Sequence, residues 1–271
     1  MKELEKILKT YKKIEVTPSI EEEKQQMYAY VYATNKLEGN SLSLAQTTQL
    51  LSSDTISGEH IRTSDIFEQK GMYKALSRML KAVRNKEELS TELMLELNWL
   101  TLSYLWKYED AYTNAKSKGQ KEGEYKVSKN IINITQNGKI IRVIDPLSHP
   151  DNVQENMADL IKTVNQSKKN IIEKAVYLAQ EIWLHQPFVD GNKRTGRLLI
   201  NFLLMKEGYP LFSFDLKNEN YNNLLVTQYI EGKENLVIKY VTNKLITEMK
   251  EKIKLLKGIK SAKKGGFRMM I

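Results

Sequence analysis

Between Asp190 and Arg197 the chain reads Asp-Gly-Asn-Lys-Arg-Thr-Gly-Arg, and it runs straight into the apolar stretch Leu198–Met205. An acidic residue, a Gly-Asn turn and two arginines thus enter a helix. The first turn of a helix leaves backbone N–H groups unpaired and carries the positive end of the dipole, so it holds phosphate. Arg194 and Arg197, at i and i+3, share one helix face. Each offers a planar fork that matches phosphate oxygens two at a time. Asp190, just before the turn, suits a hard cation such as Mg²⁺ that bridges phosphates. Together these residues describe a site for a nucleoside triphosphate with magnesium. A capped helix with surface arginines is the plain alternative. No G-x-x-x-x-G-K-S/T run is present, so this is not a P-loop protein.

Other chemistries are bounded by composition. The 271 residues contain no cysteine, which excludes disulfides, thiolate metal sites and a cysteine nucleophile. His60, His149 and His185 are too scattered to form a metal site by spacing. The N-terminus is charged from the start and has no signal-like apolar segment, and Leu198–Met205 is far too short to span a bilayer. These features predict a cytoplasmic protein without membrane contact. The net charge of +9 comes partly from Lys250, Lys252, Lys254, Lys263, Lys264 and Arg268. That cluster reads as a solvated last helix and tail, or as a basic arm for nucleic acid or a partner. With no recognition helix and no stacking aromatics, nucleic acid is the weaker partner.

The elements that must carry the site are mostly helices. Leu4, Ile7, Leu8 and Tyr11 predict an amphipathic helix over 2–14. Thr17-Pro18-Ser19 opens a second, with Ser19 and Glu22 as a capping box, running to about Glu38 and Gly39. Ser43 and Gln46 start a third. Apolar spacing predicts helices over about 64–84, 90–107, 151–165, 170–185 and 192–205, with two or three more after Pro210 and a break at Gly232. Residues 116–123 read as a loop. Asn137-Gly138 between β-branched runs predicts one hairpin over about 130–144. Trp99, Trp106 and Trp183 lie on apolar helix faces and are expected in the core. The fold class is therefore all-α with one embedded β-hairpin. The divisions expected are an arm (1–18), an N-terminal helical region (19–60), a main domain (61–245) and a basic C-terminal helix and tail (246–271).

The stretch from His185 to Arg197 resembles the motif of the Fic family, His-x-Phe-x-Asp/Glu-Gly-Asn-Gly-Arg-x-x-Arg. Phe188, Asp190, Gly191, Asn192, Arg194 and Arg197 fall in register. Fic proteins often carry an inhibitory helix ending Ser/Thr-x-x-x-Glu-Gly/Asn, and Thr34-Asn-Lys-Leu-Glu38-Gly39 is similar to it. The hairpin stands where the family places its target-binding flap. The resemblance spans about residues 20–240 and makes 61–245 a Fic domain. It implies that Asp190 holds Mg²⁺. It implies that Asn192 and nearby amides receive the α- and β-phosphates, that Arg194 and Arg197 bind the β- and γ-phosphates, and that Gly191, Lys193, Thr195 and Gly196 also belong to the nucleotide site. Glu38 would pair with Arg197 and keep the γ-phosphate from seating. The reaction implied is transfer of AMP from ATP to a Ser, Thr or Tyr hydroxyl of a protein docked on the flap. Asn222 is considered for an adenine contact.

Two positions depart from the family pattern. Gln186 stands where the family has its histidine, and a glutamine amide accepts no proton at neutral pH. Either the helix end bulges so that His185 supplies the base, or the base is missing and Gln186 only positions. Lys193 replaces the usual glycine and is similar to the Asn-Lys-Arg of the Doc toxins, which are protein kinases. It either adds charge beside the phosphates or points to solvent. A Doc-like phosphotransferase and a catalytically impaired nucleotide-binding protein are thus alternatives. A homo-oligomer is left open.

Overall fold

The computed structural model describes residues 2–14, 19–108, 111–136, 139–216, 221–233 and 235–265. Its first helices are α1 (Lys2–Lys13), α2 (Ile20–Lys36), α3 (Leu44–Ser53), α4 (Thr63–Arg84), α5 (Thr91–Trp106) and the short α6 (Thr113–Ser117). The hairpin β1 (Ile132–Gln136) and β2 (Lys139–Ile144) follows. Then come α7 (Val153–Gln166), α8 (Ile171–His185), α9 (Asn192–Lys206), α10 (Tyr221–Glu231) and α11 (Leu236–Gly265). The architecture is all-α with one two-stranded hairpin among the described residues.

Local signals act as their chemistry requires. The Ser19 hydroxyl accepts from the Glu22 N–H at 3.2 Å, and the Glu22 carboxylate accepts from the Ser19 N–H at 2.7 Å. Ser43 and Gln46 repeat that box on α3. Thr17, Pro18, the Asn137-Gly138 turn and Arg268 lie outside the described residues. The expected loop at 116–123 begins inside α6.

α9 is the centre of the molecule. Leu198 to Leu204 are all buried, so this helix is covered on every side. α8 packs tightly on it at Gly196, where an added Cβ would come within 3.2 Å of the Ala179 Cβ. α4 and α5 also pack on α9. α1 buries Leu4 completely and lies along α11, and Lys250 reaches Glu3 at 2.8 Å. α11 runs through the division expected at 245. Of the three tryptophans, Trp183 is buried in the core. Trp99, 40% exposed, is not; its ring covers Gly123 at the surface. Trp106 is half-buried and stacks on Tyr112. Helical spacing marks a face as apolar but not which neighbour covers it.

The hairpin is antiparallel, with Ile132 opposite Ile144 and a bulge between Ile134 and Thr135. Ile132 and Ile134 of β1 enter the core, whereas Ile140, Ile141 and Val143 of β2 stand exposed. Among the described residues no helix is long and apolar enough to cross a membrane.

Candidate functional site

The chain turns into α9 at Gly191, whose φ of +76° lies in the left-handed region. A side chain there would be strained, and its Cβ would stand 2.8 Å from Asn98 Nδ2. Gly191, the N-cap residue, offers no side-chain cap to α9, and its own N–H donates to Asp190 Oδ1 at 2.5 Å. The first-turn amides of α9 border a cleft lined by Glu38, Gln186, Val189, Asp190, Gly191, Asn192, Lys193 and Arg194. The preceding loop is held by Asn192. Its Oδ1 accepts from the Phe188 N–H at 3.0 Å, and its Nδ2 donates to Phe188 O and to Gln186 Oε1, each at 2.9 Å. From below, Asn98 Nδ2 donates to Asp190 O at 2.9 Å and to the Thr195 hydroxyl at 3.1 Å.

Three cations and three carboxylates meet here. Arg194, almost wholly buried, pairs with Asp190 at 3.1 Å and with Glu68 at 3.3 Å. Burial opposes its charge, but Asp190 and Glu68 more than offset that and hold the guanidinium firmly protonated. Burial also pushes the Glu68 carboxyl up, against the pull of Arg194 and Asn40. The Tyr112 hydroxyl donates to Asp190 Oδ2 at 2.8 Å, and burial together with that carboxylate pushes the phenol up, so it stays a donor.

Arg197 is fully buried. Its Nε donates to the Thr34 hydroxyl at 2.7 Å and its Nη2 to Thr34 O at 2.9 Å. Its Nη1 donates to Glu38 Oε1 at 2.7 Å and to Asn222 Oδ1 at 3.1 Å. Asn222 Nδ2 in turn reaches Glu38 Oε1 at 3.2 Å. The second Glu38 oxygen pairs with Lys193 Nζ at 2.8 Å. Lys193 therefore faces the cleft rather than solvent. Burial would raise the Glu38 carboxyl, but Arg197 and Lys193 prevail and hold it well below the usual carboxylate range.

Glu38 is placed by the turn behind α2. Asn35 Nδ2 donates to Gln69 Oε1 at 3.0 Å, Gln69 Nε2 to Asn40 Oδ1 at 3.1 Å, and Asn40 Nδ2 to Glu68 Oε2 at 2.8 Å. Asp65 accepts from Ser41 and pairs with Arg62 at 2.7 Å. These buried amides fix residues 34–41 against α4.

His185 does not join the cleft. α8 stays regular to its end, the Gln186 N–H bonding Ile182 O at 3.0 Å, and Gln186 caps it in the left-handed conformation. The bulge that would carry His185 inward is absent, because the turn of the chain falls after His185 rather than before it. Its Nδ1 lies 2.6 Å from the Ser148 hydroxyl and its Nε2 3.5 Å from Glu181. Gln186 faces the cleft, with Nε2 donating to Trp183 O at 2.7 Å. Beside it, Lys126 Nζ donates to His185 O and Asn130 Oδ1, and burial pushes this amine down to about 8.

The sequence reading missed Glu68, Asn98, Tyr112 and Asn130. Asn98 carried a signal, a polar residue amid the apolar run of α5, which is costly unless bonded. Asn222, considered for an adenine contact, braces Arg197 and Glu38.

The Fic/DOC family profile matches residues 88–204. A protein adenylyltransferase fic-1 of Caenorhabditis elegans is 31% identical over 207 residues, covering 73% of this chain and 36% of that protein. A protein adenylyltransferase Fic of Drosophila persimilis is 25% identical over 188 residues, covering 69% and 33%. The chain thus spans about a third of the length of these curated relatives. The crystal structure of a Fic domain containing signaling protein from Bacteroides thetaiotaomicron superposes with a TM-score of 0.78 at 25% identity, covering 94% of this chain and 97% of that one.

Proposed function

This chain belongs to the Fic/DOC family, and from that premise we propose that it transfers AMP from ATP to a hydroxyl of a target protein. The observation that carries this reading is the convergence of Asp190, Asn192, Arg194 and the α9 N-terminus on one cleft. First-turn amides, Arg194 and, once Glu38 is displaced, Arg197 would cradle the triphosphate. The acceptor hydroxyl would attack the α-phosphorus, the bond to the β-phosphate oxygen would break, and pyrophosphate would leave. Asp190 suits Mg²⁺: it is a partly exposed carboxylate in the cleft, and such a site needs few protein ligands beside the phosphates. The ion would neutralise phosphate charge and stabilise the leaving group. Glu38, seated on Arg197, would hold the chain inhibited. The flap would bind a target segment as an added strand on the exposed β2 side.

A second reading, nucleotide binding with little or no transfer, is favoured by Gln186 facing the cleft where a base is needed. The proposal is tested by incubating the protein and Glu38→Gly with α-labelled and γ-labelled ATP. Protein label from the α-position, stronger in the variant, supports AMP transfer. Label from the γ-position alone indicates a phosphotransferase, the Doc-like alternative that Lys193 favours. No label with ATP bound supports the second reading.

A further inference from the structure

Lys193 lies in the first turn of α9, where the helix dipole opposes a cation. It nevertheless turns inward, only 36% of its side chain exposed, and binds one Glu38 oxygen while Arg197 binds the other. Lys193, Arg194 and Arg197 balance Glu38, Glu68 and Asp190 in this cluster only while Glu38 stays. Glu68 and Asp190 are already committed to Arg194. Displacing Glu38 therefore leaves two adjacent cations with no counter-ion among the described residues, beside the α9 N-terminus. A single anionic group with two free oxygens would satisfy both, as the Glu38 carboxylate does.

Taking the Glu38–Arg197 pairing of the reading above as given, we propose that Lys193, bound to the other Glu38 oxygen, is the second cation of a clamp that selects a terminal γ-phosphate. Lys193 is then a specificity-determining residue, discriminating nucleoside triphosphate from diphosphate. The inference rests on nucleotide binding at α9 but not on AMP transfer. It has an unusual signature, because Lys193 stabilises both the inhibitor and the ligand. In the intact chain its two contributions offset each other. With Glu38 gone only the contribution to phosphate remains.

The test is calorimetric binding of Mg·ATP and Mg·ADP to four proteins: wild type, Lys193→Ala, Glu38→Gly and the double variant. Lys193→Ala should leave ATP affinity of the intact chain within about twofold, yet weaken it about tenfold in the Glu38→Gly background, as for the loss of one charged hydrogen bond. ADP affinity in that background should change less than threefold, and Lys193→Arg should retain the ATP preference. Equal losses for ATP and ADP, or equal losses with and without Glu38, would overturn the clamp. Failure of every variant to bind ATP would overturn the functional reading as well, whereas binding without AMP transfer would leave the clamp standing.

Discussion

An amide takes no proton near neutral pH, and Gln186 is the side chain that faces the cleft at the end of α8. A positioned general base contributes roughly a hundred- to ten-thousand-fold in rate. Gln186→His in the Glu38→Gly background is therefore expected to raise incorporation of α-label by about that factor. An unchanged rate would show that proton removal does not limit transfer. His185→Ala should do the opposite kind of harm. It removes a ring bonded to Ser148 and packed near Glu181, so it should cost about 1–3 kcal/mol of stability in thermal unfolding and leave ATP affinity unaltered. Glu38 supplies a pH test. Its carboxyl lies below the ordinary range because Arg197 and Lys193 outweigh burial. The ion pairs thus persist even below the unfolded carboxylate pKa and are lost only as pH falls through the lower folded value. Acidification from about pH 7.5 to about pH 5 should not release inhibition. Activation across that interval would contradict the placement of Glu38.

At the scale of elements, the site depends on the turn from loop to α9. Gly191→Ala would put a methyl at positive φ and 2.8 Å from Asn98 Nδ2. It is expected to destabilise the chain by roughly 1–3 kcal/mol and to weaken ATP binding, measured together by thermal shift and calorimetry. Much at this scale was legible in the sequence. Helix starts were readable because Ser19 and Ser43 carry their partners three residues on, and the hairpin because the pattern changes period between Ile132 and Ile144. Asp190, Asn192, Arg194 and Arg197 were readable because they lie close together in sequence around the turn into α9. Glu68, Asn98 and Tyr112 were not, because they reach the site from 126, 97 and 78 residues away. Such encounters are decided by packing of α4 and α5 on α9, which no local spacing encodes. The direction of His185 was misjudged for a related reason. A single residue of register at a helix end turns a side chain by about 100° around the axis.

At the scale of the whole molecule, the first helix and the last are joined to the core that carries the site. Leu4 is fully buried against that packing, so Leu4→Ala should cost about 2–5 kcal/mol in denaturant unfolding. The hairpin behaves differently, since β1 is anchored by Ile132 and Ile134 while β2 stands in solvent. Placing aspartates at Ile141 and Val143 should leave folding and ATP affinity intact and reduce modification of a target about tenfold or more. Central to all of this is a triphosphate seated at the α9 N-terminus in the place Glu38 now guards. The most direct test is a crystal structure of the Glu38→Gly variant with a non-hydrolysable ATP analogue and Mg²⁺. The account predicts phosphates against the Gly191–Arg194 amides, with Arg194, Arg197 and Lys193 bound to their oxygens. Nucleotide density elsewhere, with this cleft holding only solvent, would contradict it.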